Sequence, residues 1–231
     1  MFSLSPEVEL SVIALAPGFR AMSIQVEAAG VQHAQLAQAA LQDACRAVVE
    51  HDVPWAEAHI AAWRDAFKAF GAKPARTPSS IEALRKRVAR DGALPAIDPV
   101  VDLYNAISIK YALPIGGENA AAYVGQPRLV RASGEERFDT LKEGEPFEES
   151  PEPGEVIWRD DVGVTCRRWN WRQGVRTRLD ASAQQMWFIL ESLPEMPIDA
   201  LHEASDELIA GLEAMMPGSR FDKRLIGAGF S

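Results

Sequence analysis

Apolar residues in the first half of the chain have the spacing of amphipathic helices. Leu36, Ala40 and Cys45 recur at intervals of four to five residues between polar positions, which predicts a helix over residues 35–50. A second helix is predicted over residues 55–70, with aromatic residues on one side and Gly71 at its end. A third is predicted to begin at residues 77–79, and a fourth to run from 98 to about 111.

Two of these helices carry a start signal. Ser79 and Glu82 have the spacing of a capping box, in which each side chain bonds the backbone of the other residue. Asp98 followed by proline is typical of an N-cap and the first helical position. Gly116-Gly117 is predicted to form a turn after the fourth helix.

The remaining segments are predicted to be mostly strands. Residues 8–15 and 22–26 are rich in Val and Ile and predict an N-terminal hairpin. Short apolar runs predict further strands over residues 129–131, 156–159, 162–168 and 185–190. An acidic connection with a short strand is expected over 135–155, and a closing helix over 199–215. This order predicts an α+β fold, with a mostly antiparallel sheet packed with helices, rather than a regular βαβ alternation.

Composition and charge exclude several classes of protein. The 231 residues are 47% hydrophobic and carry a net charge of −9, which excludes a globally basic nucleic-acid binder but not a local basic patch. The two cysteines lie far apart, so neither a disulfide framework nor a zinc knuckle is expected. No long apolar run predicts a membrane span, and the N-terminus lacks the basic start of a signal peptide. A reducing cytoplasm is the expected compartment.

The common catalytic motifs are absent from the sequence. There is no GxSxG, HExxH, GxxxxGK[ST] or GxGxxG, and the four histidines have no partner at ligand spacing. We therefore expect no metal and no cofactor. Cys166 lies beside two arginines, which could lower its thiol pKa, but a buried strand cysteine is the favoured interpretation.

The most unusual segment is Cys166-Arg167-Arg168-Trp169-Asn170-Trp171-Arg172-Gln173. Residues 159–178 hold six arginines and two aspartates, a local net charge of +4 in an acidic protein. In a strand, alternation would place Arg168, Asn170 and Arg172 on one face. Forked cations beside tryptophans suit a phosphate-bearing or aromatic ligand. The alternative is a strand with tryptophans in the core and arginines paired to the acidic connection.

Two further segments are candidates for function. Residues 73–90 hold six basic residues, among them Lys73, Arg76, Arg85 and Lys86, against Glu82 alone, and could contact phosphates or form an ordinary solvated helix face. The predicted Gly116-Gly117 turn would let backbone amides approach a ligand, with Glu118 at the lip. A simple helix-terminating turn explains the glycines equally well.

Four segments carry a resemblance to a known family. They are Asp102-Leu103-Tyr104-Asn105-Ala106-Ile107-Ser108, Pro114-Ile115-Gly116-Gly117-Glu118, Leu129-Val130-Arg131-Ala132-x-Gly134-Glu135 and the arginine–tryptophan block at 166–173. Together they resemble the free-standing B3/B4 family, which is homologous to the editing module of the bacterial phenylalanyl-tRNA synthetase beta subunit. The resemblance covers about residues 63–191. It implies a single α+β domain over 1–231, with the N-terminal hairpin and the C-terminal helix as extensions.

The resemblance implies hydrolytic removal of a wrongly attached amino acid from tRNA, without a cofactor. Our hypothesis is that Glu118 or Asn170 orients the attacking water or the substrate ammonium. Backbone amides of Gly116 and Gly117 would stabilise the oxyanion, and Glu191 matches a pocket glutamate of the module. Where that module has a His-Ala-Phe-Asp run, this chain has Gly116-Gly117-Glu118-Asn119, so the histidine has no equivalent.

The basic residues would then contact the tRNA. Arg167, Arg168 and Arg172, beside Trp169, are expected to hold the terminal phosphates of the aminoacylated 3′ end. Lys73, Arg76, Arg85 and Lys86 are expected to contact the acceptor stem. Two alternatives stay open: a non-catalytic module that binds tRNA or a small aromatic ligand, and a hydrolase of a small amide or ester. The net charge of −9 favours the last, because a tRNA backbone would be repelled outside the basic segments.

Overall fold

The computed structural model describes residues 2–227, which fold into six α-helices and eleven β-strands. The helices are α1 Leu10–Leu15, α2 Gln35–Glu50, α3 Ala56–Ala69, α4 Ser80–Asp91, α5 Pro99–Tyr111 and α6 Ile198–Met215. The strands are β1 Glu7–Val8, β2 Arg20–Glu27, β3 Ile115–Asn119, β4 Arg128–Arg131, β5 Phe138–Lys142, β6 Glu145–Glu149, β7 Val156–Arg159, β8 Val164–Arg167, β9 Arg172–Gln173, β10 Gln185–Ser192 and β11 Arg220–Gly227.

The strands form two main sheets. The first has the order β11-β2-β10-β3 and is antiparallel throughout. The second has the order β1-β4-β7-β8-β9 and is antiparallel except for the parallel β1–β4 pair. Strands β5 and β6 form a separate hairpin within the acidic connection. The prediction of an α+β fold with mostly antiparallel sheets is confirmed.

The alternating side chains of β10 explain where the two sheets lie. Met186, Phe188 and Leu190 point to one face, where they share a buried cluster with residues of α5 and α6. Trp187 and Ile189 point to the other face and pack with residues of the second sheet. The first sheet therefore lies between helices and the second sheet, and the space between the sheets is available for a site.

Local start signals in the sequence account for the helices that flank this space. Asp98 caps α5, accepting hydrogen bonds from the backbone nitrogens of Val100 (2.9 Å) and Val101 (3.4 Å), as predicted. Helix α4 begins directly after Ser79, but the predicted capping box is wrong. Glu82 instead binds Arg64, at 2.9 Å, and also Lys86, so its carboxylate is engaged elsewhere.

The ends of the chain differ from prediction. The predicted strand at 8–15 is only Glu7–Val8, because Leu10–Leu15 forms the short helix α1. The N-terminal hairpin is therefore wrong: β1 pairs with β4, whereas β2 pairs with β10 and β11. The closing helix is confirmed as α6, and β11, which the pattern did not predict, follows it and joins the first sheet. None of the helices in the described part of the chain is long and apolar enough to cross a membrane.

Candidate functional site

A cavity of about 340 Å³ opens between the first sheet and the second. Strands β3 and β10 form one wall, and β8 with the turn at residues 168–171 forms the opposite wall. Helices α4 and α5 contribute the sides, with Tyr104 from α5. Five of the lining residues are aromatic, and the tryptophans among them are Trp158, Trp169, Trp171 and Trp187. We call this space the aromatic cavity.

The glycine pair lies in strand β3 rather than in a turn, so that prediction is wrong. A Cβ atom on Gly117 would lie 2.8 Å from the ring of Tyr104 and 2.9 Å from Leu179, which explains the glycine as a close approach of packed side chains. Successive amides of an antiparallel strand point to opposite edges. The amides of Gly116 and Gly117 therefore do not converge on one oxyanion, in contrast to our expectation.

Glu118 points into the aromatic cavity from β3, opposite Trp187 of β10. It is 4% exposed, and its Oε2 atom is buried without a hydrogen-bond partner. Burial raises the pKa of the Glu118 carboxyl to about 8, although the neighbouring Thr177 hydroxyl and Gln173 amide act in the opposite direction. A carboxyl in this state can gain or lose a proton near neutral pH.

Glu191 lies at the end of β10 on the same side of the sheet and is 1% exposed. It accepts hydrogen bonds from Trp158 Nε1 at 2.8 Å and from Asn170 Nδ2 at 2.9 Å. Burial raises the pKa of Glu191 to about 7, and these hydrogen bonds oppose the rise. The other side-chain atom of the amide, Asn170 Oδ1, is buried without a partner. The cavity thus holds two buried carboxyls, and Glu118 Oε2 and Asn170 Oδ1 are buried acceptors without a partner.

The turn at residues 168–171 replaces the continuous strand predicted for the arginine–tryptophan block. Arg168 and Trp169 have φ angles of +46° and +65°, a left-handed conformation that breaks the alternation. Trp169 is fully buried, and its ring meets those of Phe19 and Trp63 at 5.1 and 5.2 Å between centroids. It therefore serves as a core anchor and as part of the cavity wall at once.

The three arginines of this block have different surroundings. Arg167 is buried and donates to both carboxylate oxygens of Glu155 at 2.9 and 2.7 Å, and to Glu149 at 2.8 Å. It is paired with the acidic connection, as the alternative interpretation held, and does not line the aromatic cavity. Arg172 lines that cavity and donates to the carbonyl of Leu141 at 3.2 Å. Arg168 lines a different cavity, and its guanidinium lies 4.5 Å from the Trp171 ring centroid.

A second cavity, of about 370 Å³, lies beside Arg168, the first residue of the turn at residues 168–171. Lys73 and Arg76 line it together with Arg168, and the carboxylates of Glu152 and Glu155 face it as well. Both Lys73 and Arg76 are exposed. We call this space the basic cavity.

The other two predicted RNA contacts do not join this group. The side chain of Arg85 is only 11% exposed and is held by Asp52 at 2.7 Å and by the carbonyl of Ile109 at 2.8 Å. It ties α4 to its neighbours and is not free to bind a phosphate, so its assignment to RNA is corrected. Lys86 is exposed but paired with Glu82 at 2.6 Å.

Several residues of the aromatic cavity were not singled out by the sequence. Trp158 and Trp187 lie on strands that the pattern did predict, but their meeting depends on how the two sheets pack. Tyr104 comes from the face of α5 that meets β3, and no local signal distinguishes that face. Cys166 also lines the cavity, and burial raises the pKa of its thiol well above the usual value, which does not support a reactive thiolate.

No set of three or more potential metal-ligating side chains (His, Cys, Asp or Glu) lies together in residues 2–227. The buried histidine, His59, has a structural role. Its Nδ1 lies 2.8 Å from the carbonyl oxygen of Ala112, and its Nε2 accepts from the backbone nitrogen of Leu193 at 3.0 Å. Burial lowers the pKa of His59 to about 4, so the ring is neutral at physiological pH.

Comparison with known proteins gives a family and a fold. A family model described as the B3/4 domain matches residues 62–205 of the chain. The fold is similar to a crystal structure of an N-terminal fragment of the phenylalanyl-tRNA synthetase beta subunit from Pyrococcus horikoshii, with a TM-score of 0.54 and 9% sequence identity. The similarity covers 98% of this chain and 55% of that fragment, so this chain spans about half of its length. No curated protein matches the sequence.

Proposed function

The chain belongs to the B3/4 domain family, and from that premise we propose that its aromatic cavity receives the aminoacyl group of a mischarged aminoacyl-tRNA and hydrolyses the ester. Such a substrate would place the protein in the cytoplasm, where translation occurs. Strands β2 and β11 lie outside the matched region but pair within the same sheet as β10. This pairing supports a further proposal, that the chain acts as one domain.

The observation that carries the proposal is the pair of unpartnered acceptors in the cavity. Glu118 Oε2 and Asn170 Oδ1 come from opposite walls, and both are buried without a hydrogen bond. A buried acceptor without a donor costs free energy in the folded protein. An ammonium group carries three donors and no acceptor, so the α-ammonium of an aminoacyl group would satisfy Asn170 Oδ1, and a water held at Glu118 would satisfy Oε2.

Glu191 acts in this proposal through Asn170. Because Asn170 Nδ2 donates to Glu191, the amide is oriented with Oδ1 left unpartnered. Reversing that amide would bring an oxygen against a carboxylate. Glu191 is thus a positioning residue, and Asn170 is the residue that would contact the substrate ammonium.

Glu118 is the proposed general base. Its carboxylate takes a proton from water, the water oxygen bonds to the ester carbonyl carbon, and the bond from that carbon to the ribose oxygen breaks. Glu118 passes that proton to the ribose oxygen, and the amino acid leaves as a carboxylic acid that loses its own proton to the solvent. A base with a pKa near the working pH is the most effective, and a bound ammonium would lower the pKa of Glu118 from about 8 towards neutrality.

The cavity is of the right size for this substrate and for little more. Small-molecule sites range from about 300 to 1,000 Å³, and the 340 Å³ here lies at the small end. Aromatic walls suit an apolar or aromatic side chain beside the polar ester. We propose that the aminoacyl group enters while the rest of the tRNA stays outside.

A panel of aminoacyl-tRNAs, including mischarged ones, tests the proposal under single-turnover conditions with the protein in excess. We expect at least one amino acid to be released faster than in the absence of protein. If no member of the panel is released faster, the hydrolase is excluded. Tryptophan fluorescence with the same substrates then tests the binding module, since Trp171 is half-exposed at the cavity.

The small-ester hydrolase is kept as a second candidate because of the charge distribution. Of the four predicted RNA contacts, Arg85 and Lys86 are paired with carboxylates, and the chain as a whole carries −9. An amino-acid methyl ester, which lacks the nucleotide, distinguishes the two. Cleavage of the methyl ester as fast as of the tRNA ester would favour the small-molecule enzyme.

A further inference from the structure

We propose that the basic cavity binds a phosphate of the same ligand whose aminoacyl end enters the aromatic cavity. The inference rests on the proposed function for the identity of that ligand. It adds a second subsite, built from Lys73, Arg76 and Arg168, and assigns it to the phosphate nearest the ester-bearing nucleoside.

Lys73 and Arg76 are available for an anion. Both are exposed, and within residues 2–227 neither has a carboxylate oxygen within 4 Å. Arg168 is held more rigidly, because its backbone is left-handed, its guanidinium lies over Trp171 and its Nε lies 3.6 Å from Glu155 Oε2. An arginine fixed in this way presents its planar fork to a phosphate with little loss of conformational freedom.

The carboxylates of the basic cavity do not cancel its positive charge. Glu155 is buried and accepts from two nitrogens of Arg167 and from the backbone nitrogen of Arg168. Its charge is thus already compensated. Glu152 is exposed and is the opposing charge, since no ion pair involving it occurs in the described chain. Neutralising Glu152 should therefore strengthen the binding of an anion.

The two cavities are close enough for one small ligand to reach both. Arg168 lines the basic cavity and Asn170 the aromatic one. Two residues along a chain span at most about 7 Å between Cα atoms. That distance is within reach of a single nucleotide, whose base and sugar can lie over the turn while its phosphate lies beyond it.

The start of helix α4 provides a second observation at the same place. Thr77 lines the basic cavity and Ser80, the first residue of α4, lines the aromatic one. No side chain caps this helix, and the hydroxyl of Ser79, which is 2% exposed, has no partner, nor has that of Ser80. The positive end of the helix dipole and free hydroxyl donors favour an anion between the cavities.

Adenosine and adenosine 5′-monophosphate are the probes, because they differ only in the phosphate. We expect the monophosphate to bind the full-length protein about tenfold more tightly than adenosine, because its phosphate accepts hydrogen bonds from the cationic side chains of the basic cavity. Lys73→Ala combined with Arg76→Ala should abolish this difference, and Glu152→Gln should increase it. Arg46→Ala combined with Lys68→Ala, which removes two exposed cations elsewhere, is the matched control and should leave the difference unchanged.

Equal binding of the two probes by the unmodified protein would overturn the inference, and so would an unchanged difference in the Lys73/Arg76 double variant. Inorganic phosphate that binds as tightly as the monophosphate would show an independent anion site and would also overturn it. Hydrolysis of an aminoacyl-adenosine, which has no phosphate, reports on the proposed function alone. That ester is measured with the unmodified protein, so failure of the phosphate subsite and failure of the hydrolase give different results.

Discussion

Asn170 Nδ2 donates a 2.9 Å hydrogen bond to Glu191 Oε2, and this contact joins the two sheets across the aromatic cavity. Asn170 comes from the turn between β8 and β9, and Glu191 from the end of β10, an inner strand of the first sheet. The bond leaves Asn170 Oδ1 buried without a partner. The hydrogen bond that joins the two walls of the cavity therefore also orients the Asn170 amide so that its oxygen remains free to accept a hydrogen bond.

Replacing Asn170 should change the titration of Glu191. The Asn170 hydrogen bond lowers the pKa of Glu191, against the larger effect of burial. In Asn170→Ala we therefore expect the carboxyl to titrate above pH 7, when followed by ¹³C NMR of labelled glutamate. Glu118, with a pKa of about 8, serves as the internal reference and should not move. A Glu191 midpoint that stays at or falls below that of the unmodified protein contradicts this role of the hydrogen bond.

The two buried carboxyls should make the protein less stable as the pH rises. Their pKa values in the folded state are raised from 4.5 to about 8 for Glu118 and about 7 for Glu191, so the folded state binds more protons than the unfolded state across this range. The contribution of these two carboxyls to the free energy of unfolding is fully present below about pH 4.5, their pKa in the unfolded state. It is lost as the pH rises through their pKa values in the folded state. One pKa unit corresponds to about 1.4 kcal/mol, so the loss amounts to several kcal/mol.

Urea unfolding at pH 5 and at pH 8.5 measures this loss directly. Glu118→Gln should reduce the difference in unfolding free energy between the two pH values, because the amide does not titrate. The substitution should also make the protein more stable than its parent at pH 8.5. If parent and variant lose the same free energy between these pH values, Glu118 does not have a raised pKa.

Gly117 should not tolerate a side chain. The added Cβ of Gly117→Ala would meet the ring of Tyr104 and a methyl group of Leu179 at less than 3 Å, and overpacking of this kind costs about 1–3 kcal/mol. Gly30→Ala is the matched control, since a Cβ there has no neighbour within 4 Å. Thermal denaturation of the two variants should show a clear loss for Gly117→Ala alone. Equal melting temperatures would show that Tyr104 and Leu179 can move to accommodate the added methyl group.

Arg167 should be needed for stability rather than for RNA binding. Arg167→Ala would leave the buried carboxylate of Glu155 without its main partner, which costs about 3–5 kcal/mol for a buried pair. Arg137→Ala removes an exposed arginine paired with Glu148 and should cost at most about 1 kcal/mol. Denaturant unfolding distinguishes the two. A loss for Arg167→Ala no larger than that for Arg137→Ala would show that the pair is not important for folding.

The parts of the fold that local chemistry determines were predicted from the sequence. Asp98-Pro99 marks the start of α5 because an aspartate acceptor and a proline without an N–H both suit that position. The helix over 35–50 follows from its apolar spacing alone. In both places the residues that predict the helix belong to the helix itself or to its cap.

The parts that depend on distant contacts were not predicted. Gly116-Gly117 has the composition of a turn, but the glycines are needed because Tyr104 and Ile189 pack against an extended strand. The positive φ angles of Arg168 and Trp169 are rare for such residues, and the surrounding core of Phe19 and Trp63 stabilises them. No local pattern reveals either arrangement. The pairing of Arg167 with Glu155 likewise depends on how the acidic connection returns to the sheet.

The most direct test of the account is the single-turnover deacylation rate of Glu118→Gln, measured on an aminoacyl-tRNA that the parent protein hydrolyses. The amide keeps the size of the side chain but cannot take a proton from water, so we predict a rate about a hundredfold lower. The affinity for the tRNA should hardly change, because Glu118 lies outside the basic cavity. Glu135→Gln, the same change at an exposed position, should leave the rate as it is. A Glu118→Gln rate equal to that of the parent would contradict the assignment of Glu118 as the base.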